Sequence, residues 1–109
     1  MSQFDPATLP APLAAYFAAT DHRDTASLFA PGAVVRDEGE TLTTVAAIAA
    51  WLDRVETRYH PRYVVEAAET TGDRTIVTFV VSGTFPGSPA TLRQAFVVGD
   101  GLIRWLETL

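Results

Sequence analysis

The acidic pair Asp37 and Glu38 stands where a short apolar run, Ala33 to Arg36, comes to an end. A carboxylate that follows a buried strand, at the wall of an apolar pocket, has its charged form disfavoured by desolvation. That environment suits a general base, which must take up a proton near neutral pH. The alternative interpretation of Asp37 is a solvated turn aspartate, with Glu38 as a second one.

Tyr16 is a second candidate, because its hydroxyl could donate a hydrogen bond to the carbonyl or oxyanion of a ligand. The alternative places Tyr16 in the core with its hydroxyl at the rim. His22 and His60 have no partner at metal-ligand spacing, so both are interpreted as surface or structural residues. The chain has no cysteine, which excludes disulfides and thiolate zinc sites. Without a Gly-rich phosphate loop or a nucleophile elbow, we predict neither a metal nor a cofactor.

Helices are predicted on both sides of the acidic pair. After a short arm at 1–8, apolar residues recur at helical spacing at Leu9, Leu13, Tyr16 and Phe17. Asp24 is predicted to cap a short second helix, Thr25 to Phe29, which Pro31 and Gly32 end. A long third helix is predicted from Val45 to Arg58, capped by Thr43 or Thr44. Its apolar residues repeat at i, i+3, i+4 and i+7: Ile48, Trp51, Leu52 and Val55.

The remaining segments alternate between apolar and polar residues, as strands do. They are 33–36, 41–43, 62–70, 74–85, 90–98 and 102–109. On the strand 74–85, one face carries Val77, Phe79, Val81 and Phe85. Gly83 within that strand indicates a bulge or a kink, as a curved sheet requires.

Composition limits the class of protein. The 109 residues are 48% hydrophobic, which is enough for a single domain, 1–109, with its own core. A net charge of −5 disfavours nucleic-acid binding, since phosphates require clustered basic residues. No run of ~20 apolar residues predicts a membrane span, and no signal peptide is evident. We therefore expect a cytoplasmic protein, and the Ala, Arg and Asp bias suggests a bacterial one.

Four stretches in this order resemble the nuclear transport factor 2-like superfamily, in its SnoaL-like polyketide cyclase and ketosteroid isomerase branch. They are YFAA at 16–19, LFAPGAVVRD at 28–37, AAIAAW at 46–51 and GDGLI at 99–103. The resemblance covers nearly the whole chain. It implies an α+β, cone-shaped fold, in which a strongly curved mixed sheet, mostly antiparallel, wraps around about three helices and leaves a pocket.

The ketosteroid isomerases of this superfamily use a tyrosine on the first helix, an aspartate base at the end of the first strand and a protonated aspartate on a later strand. The resemblance places Tyr16, Asp37 and Gln94 at these three catalytic positions. Gln94 departs from the pattern, because an amide can donate a hydrogen bond but cannot be the acid. The ligand pocket is expected to be lined by Phe17, Phe29, Val35, Trp51, Tyr63, Phe79, Val81 and Phe96.

Two functions stay open at this point. One is a cofactor-independent isomerase, cyclase or dehydratase that acts on a carbonyl-containing apolar ligand; it requires Asp37 to face inward. The other is a non-catalytic ligand-binding or dimerisation module, with Asp37 held by an arginine or a backbone cap. With either function the resemblance implies a homodimer through the outer sheet face, whose residues are Thr78, Val80, Ser82, Thr84, Thr91, Arg93, Ala95 and Val97. A transport adaptor is disfavoured.

Overall fold

The computed structural model describes residues 4–109, so the predicted arm at 1–8 begins outside the described residues. Pro6–Thr8 forms a single 3₁₀ turn, in which the Asp5 side chain accepts a hydrogen bond from the Ala7 amide. The helices are α1 Ala11–Ala18, a 3₁₀ helix His22–Leu28 and α2 Val45–Tyr59. The strands are β1 Phe29–Asp37, β2 Glu40–Leu42, β3 Arg62–Thr71, β4 Arg74–Ser82, β5 Ala90–Gly99 and β6 Leu102–Thr108.

The six strands form one sheet in the order β2-β1-β6-β5-β4-β3. Within residues 4–109 only the β1–β6 pairing is parallel, so the predicted α+β class with a mixed, mostly antiparallel sheet is confirmed. Register shifts interrupt the β1–β6 pairing between Phe29 and Val34 and the β3–β4 pairing between Val65 and Ala67, and in the β5–β6 pairing the extra residue is Arg104 on β6. Extra residues of this kind bend and twist a strand, and here they help to curve the sheet around the helices.

The segment before β1 differs from the prediction. A 3₁₀ helix begins at His22 rather than an α-helix at Thr25, and its cap is Asp21, whose side chain accepts from the Arg23 amide at 2.9 Å. β1 then starts at Phe29 and runs through Pro31 and Gly32, which were predicted to end a helix. Proline is tolerated there because the pairing with β6 is irregular over this stretch.

Helix α2 packs its buried residues into the core. Thr44 caps it as predicted, with its hydroxyl accepting from the Ala47 amide at 3.0 Å. The buried residues Ile48, Trp51 and Leu52 form one stripe. Glu56 continues this stripe one turn later, so the helix brings a carboxylate into its apolar face. His60 ends the helix in the left-handed conformation, at φ 44°.

The chain leaves β4 earlier than predicted, at Ser82 rather than at Phe85. Gly83 follows, and a Cβ at this position would clash with the Tyr59 carbonyl oxygen at the end of α2. The same carbonyl accepts a hydrogen bond from the Thr84 amide at 2.8 Å. A glycine is therefore required where the chain crosses the end of the helix.

The core is rich in aromatic side chains. Six of them contact one another with ring centroids 5.0–6.3 Å apart: Tyr16, Phe17, Phe29, Tyr63, Phe79 and Phe96. Edge-to-face contacts are common among them, as the quadrupoles of the rings favour. None of the helices within residues 4–109 is long and apolar enough to cross a membrane.

Candidate functional site

A cavity of about 470 Å³ lies between α2, the inner face of the sheet and the segment that follows β4. Cavities of this size hold small organic molecules. Most of its wall is apolar or aromatic, and a few polar groups lie among these side chains. The lining residues are Asp37, Glu38, Trp51, Val55, Tyr59, Pro61, Tyr63, Phe79, Val81, Phe85, Pro86, Ala90, Leu92, Gln94 and Thr108.

Asp37 is the last residue of β1, and its half-buried side chain forms part of the cavity wall. The indole N–H of Trp51, on α2, donates to its Oδ2 at 3.2 Å. Within residues 4–109 no arginine forms an ion pair with Asp37, whereas the neighbouring Arg36 contacts Glu107 on the outer face at 3.9 Å. The carboxylate is therefore oriented by a neutral donor and its charge is not offset by a cation.

Gln94 and Thr108 lie beside Asp37 on the inner face of the sheet. Gln94 on β5 pairs with Thr108 on β6, and Thr108 follows Glu107, which pairs with Arg36 on β1. Asp37, Thr108 and Gln94 therefore occupy adjacent inward positions on three neighbouring strands. The Gln94 Nε2 donates to the Thr108 hydroxyl at 3.0 Å, so the amide group that could hold a ligand oxygen already has an acceptor.

Two tyrosines are stacked at this site, with Tyr63 at the cavity and Tyr16 behind it. Tyr63 on β3 lines the cavity, and Tyr16 on α1 is fully buried and stacks on it, with ring centroids 6.1 Å apart. Burial raises the pKa of Tyr63 to about 12 and raises that of Tyr16 well above its usual value. The negative charge of Asp37 also raises the pKa of both phenols. Both hydroxyls are therefore neutral donors at physiological pH and not bases.

The predicted site residues divide into two groups. Asp37, Gln94, Trp51, Tyr63, Phe79 and Val81 lie together on the wall of the cavity. The others are buried in the core beneath it: Tyr16, Phe17, Phe29, Val35 and Phe96. The catalytic assignments of Asp37, Tyr16 and Gln94 stay predictions, and the geometry places Tyr63, rather than Tyr16, on the cavity wall.

Several lining residues were not predicted, among them Thr108, Leu92 and Phe85. Strand alternation contains a signal for Thr108, since it has the same parity as the buried Leu106 on β6. Phe85 has the same parity as the inward Phe79 and Val81, but β4 ends at Ser82, so its direction depends on how the irregular segment after β4 folds back.

A buried pair of titratable side chains, His22 and Glu56, lies next to Tyr63. His22, interpreted from sequence as a surface or structural residue, is only 1% exposed. Glu56 Oε1 accepts from the His22 backbone amide at 2.8 Å and lies 3.2 Å from its Nδ1. Burial lowers the pKa of His22 despite the opposing effect of Glu56. Burial alone would raise the pKa of Glu56, but the hydrogen bonds and charge of His22 outweigh it and lower that pKa.

The His22 ring also contacts the Tyr63 ring edge to face, with centroids 4.5 Å apart. The pair therefore supports Tyr63 from the side away from the cavity. In the part of the chain that the structure describes, no group of three histidine, aspartate or glutamate side chains is placed to hold a metal ion.

Comparison with known proteins agrees with this architecture. The model of the SnoaL-like domain family matches residues 13–105. No curated protein matches the chain significantly. A protein of Sinorhizobium meliloti, provisionally assigned as a polyketide cyclase, is 37% identical. Its structure superposes with a TM-score of 0.89, over 97% of this chain and 100% of that one.

Two more distant structures share the fold alone. A hypothetical protein of Catenulispora acidiphila with a ketosteroid isomerase-like fold, in complex with trimethylamine, is 19% identical, with a TM-score of 0.75 over 99% of this chain and 86% of that one. An NTF2-like protein of unknown function from Cytophaga hutchinsonii is 9% identical, with a TM-score of 0.73 over 99% and 91% of the two chains.

Proposed function

The chain belongs to the SnoaL-like domain family, and on that premise we propose that its cavity binds a small apolar molecule with a carbonyl group and performs acid–base chemistry on it. The observation that carries this proposal is the environment of Asp37. Its carboxylate faces an apolar cavity and accepts a hydrogen bond from the Trp51 indole. A binding module with a structural aspartate would instead hold Asp37 with an arginine or a backbone cap.

In the proposed reaction, Asp37 removes a proton from the carbon next to the ligand carbonyl. The C–H electron pair moves into the enolate, whose oxygen accepts a hydrogen bond from the Tyr63 hydroxyl. Because the pKa of Tyr63 is about 12, this hydroxyl keeps its proton and can stabilise the developing charge. In a ligand with a double bond between its β- and γ-carbons, return of the proton from Asp37 to the γ-carbon gives the conjugated isomer. In a ligand with a second carbonyl group, attack of the enolate carbon on that group forms the new ring, and the resulting alkoxide takes the proton from Asp37.

The test is exchange of α-protons for deuterium, followed by NMR, in a panel of bicyclic and tricyclic ketones. We expect Asp37→Asn to slow exchange by at least ~10²-fold, the usual contribution of a positioned general base. Asparagine keeps an oxygen that can accept from Trp51, so the cavity wall should be preserved. The matched control is Glu40→Gln, which removes one charge from the neighbouring strand β2; the exposed Glu40 carboxylate is not among the cavity-lining groups and pairs with Arg54 at 3.3 Å.

Two results would count against this proposal. Exchange at equal rates in wild type and Asp37→Asn would remove Asp37 as the base. Tight binding of a ketone without any exchange would favour the second candidate function, a non-catalytic binding module. That candidate has some support from Gln94, whose Nε2 is occupied by Thr108 and so leaves one fewer donor for an enolate oxygen.

We further propose that the protein is a homodimer formed through the outer face of the sheet. This face carries Ile76, Thr78 and Val80 from β4 beside Arg93 and Val97 from β5. Neither helix packs on it, since the buried residues of both helices contact the inner core. A self-complementary pairing of two such faces would satisfy the symmetry of an isologous dimer.

A further inference from the structure

The aromatic rings on the cavity wall are the first feature that limits the ligand. Five such side chains line the cavity, from α2, β3, β4 and the segment after β4: Trp51, Tyr59, Tyr63, Phe79 and Phe85. Tyr59 meets Phe85 edge to face at 5.9 Å between ring centroids, and Tyr63 meets Phe79 at 5.0 Å. The face of an aromatic ring carries negative partial charge and attracts a cation within about 6 Å of its centroid. A wall with rings from four segments therefore suits a cationic group as well as an apolar one.

The charged groups of the same wall are all negative. Asp37 and the exposed Glu38 line the cavity, and within residues 4–109 no arginine or histidine does. Neither carboxylate forms a salt bridge in this part of the chain, and the adjacent Arg36 is engaged by Glu107. The protein therefore leaves two negative charges of the wall without a positive partner.

Trp51 connects the rings to the carboxylates. Its indole N–H donates to Asp37 Oδ2 at 3.2 Å, so a cation beside Asp37 also lies near the indole, the ring type that binds cations most strongly. The ring of Tyr59 already has a cation close to it, since the Arg58 guanidinium carbon lies 6.0 Å from its centroid. This is the one cation–π contact within residues 4–109, and Arg58 is not part of the wall.

We propose that the cavity prefers a ligand that carries a tertiary amine or quaternary ammonium group in addition to its carbonyl group, and that it rejects carboxylates. This inference rests on the proposed function, since it assumes that the cavity binds a carbonyl compound. The cationic group lies against the aromatic wall, near Asp37 and Glu38. A carboxylate in the same place would be withdrawn from water without a cation to pair with it, beside two like charges, and that is costly.

Three 1-tetralones that differ in one substituent test the effect of charge. The substituent is trimethylammonium, tert-butyl or carboxylate, placed para to the carbonyl group and, in a second set, meta to it. The first two substituents have nearly the same shape and neither donates a hydrogen bond. In the set that binds more tightly, we expect wild type to bind the trimethylammonium compound about tenfold more tightly than the tert-butyl compound. The carboxylate should bind more weakly than both. Calorimetry at neutral pH and low salt measures the affinities.

Variants of the wall test which groups cause the preference. Asp37→Asn and Glu38→Gln should each lower the ratio of the trimethylammonium to the tert-butyl affinity by about threefold, as partly exposed ion pairs do, and the double variant should lower it further. Phe85→Leu keeps the wall apolar and should weaken binding of the cation more than that of the neutral compound. The matched control Glu40→Gln removes a charge outside the cavity wall and should leave the ratio unchanged. Circular dichroism confirms that all variants are folded.

The outcomes separate this inference from the proposed function. Equal affinities of wild type for the cationic and the neutral compound, or tightest binding of the carboxylate, overturn the inference alone. A ratio that is the same in wild type and in the double variant also overturns it, as does an equal effect of Phe85→Leu on both compounds. Absence of binding by all three compounds in both sets overturns the proposed function and this inference with it.

Discussion

Asp37 and Glu56 are both carboxylates that the fold withdraws from water, yet their partners differ. Glu56 accepts from the backbone and lies against the ring of His22, and its second oxygen is 3.5 Å from His60 Nδ1. Asp37 accepts one hydrogen bond, from Trp51. A carboxylate that accepts hydrogen bonds from several donors is stabilised in its charged form, which suits a structural role. The sparsely bonded Asp37 is the better candidate for chemistry.

The His22–Glu56 pair predicts how stability depends on pH. The pKa of folded His22 lies below its ordinary 6.5 because of burial, so the unfolded chain binds a proton first as pH falls. The pKa of folded Glu56 lies below 4.5, so the same holds there at lower pH. Both groups therefore contribute stability that is present at neutral pH and is lost on acidification, first His22 below about 6.5 and then Glu56 below about 4.5.

We expect the free energy of unfolding of wild type to decrease as pH is lowered from 6.5 toward 4.5, relative to His22→Gln, by up to about 1.4 kcal/mol per pH unit. Glutamine keeps an N–H donor for Glu56 but does not titrate. Urea unfolding at a series of pH values measures this difference. His60→Asn, at the exposed histidine near the same carboxylate, is the control and should follow wild type. Parallel curves for wild type and His22→Gln would show that the pKa of His22 is the same in the folded and the unfolded chain, and would contradict this prediction.

At the scale of elements, the end of α2 and the exit of β4 position one wall of the cavity. Tyr59 and Phe85 line this wall and contact each other edge to face, with centroids 5.9 Å apart. Two hydrogen bonds from Thr84 hold these segments together. The Thr84 amide donates to the Tyr59 carbonyl oxygen, and the Thr84 hydroxyl donates to the Arg58 carbonyl oxygen at 3.1 Å. This crossing depends on Gly83, where a side chain would meet the backbone of the helix.

Gly83→Ala should therefore destabilise the protein by about 1–3 kcal/mol, the usual cost of overpacking against atoms that cannot move aside. It should also weaken binding of the bicyclic ketones, because Phe85 would shift. Gly99→Ala is the matched control: the three atoms nearest to its added methyl group belong to the half-exposed Arg104 side chain, which can move aside. Thermal unfolding and calorimetry measure both effects. Equal stability losses in the two variants would mean that the crossing is not constrained as described.

For the whole molecule, the outer sheet face is the surface that we propose to contact a second copy of the chain. Val80 stands near its middle, paired with Val64 on β3 and Thr91 on β5. Val64 is 65% exposed in the single chain, and such residues are unfavourable at an open edge unless something covers them. A charge at Val80 would face its symmetry mate across a two-fold interface.

We expect Val80→Arg to convert the proposed dimer to a monomer, as measured by light scattering at micromolar concentration. The long aliphatic part of arginine can cover the half-buried position of Val80, so the fold should be retained. Val45→Arg places the same change on the surface of α2, where Val45 is 41% exposed, and should remain dimeric. Monomeric wild type at the same concentration would contradict the proposal, as would a dimer in both variants.

The sequence allowed most elements to be predicted, because periodicity is a local property. The stripe Ile48, Trp51 and Leu52 indicates the buried face of α2, and alternation along 74–82 indicates the inward Val77, Phe79 and Val81. The 3₁₀ helix His22–Leu28 was assigned the wrong cap and start, since Asp21 and Asp24 are equally good cap residues in sequence. Only the hydrogen bond to Arg23 identifies Asp21.

By itself the sequence determined the α+β architecture, the presence of a carboxylate at the end of the first strand and the apolar character of the pocket, but it left open whether Asp37 faces the cavity or the solvent. The tertiary structure decided which polar groups meet there. Thr108 reaches Gln94 through strand register, His22 reaches Glu56 over 34 positions, and Tyr63 stands between Tyr16 and the cavity. The physical reason is that local patterns specify which face of an element is buried, whereas partners across elements depend on how bulges and crossings set the relative positions of distant segments.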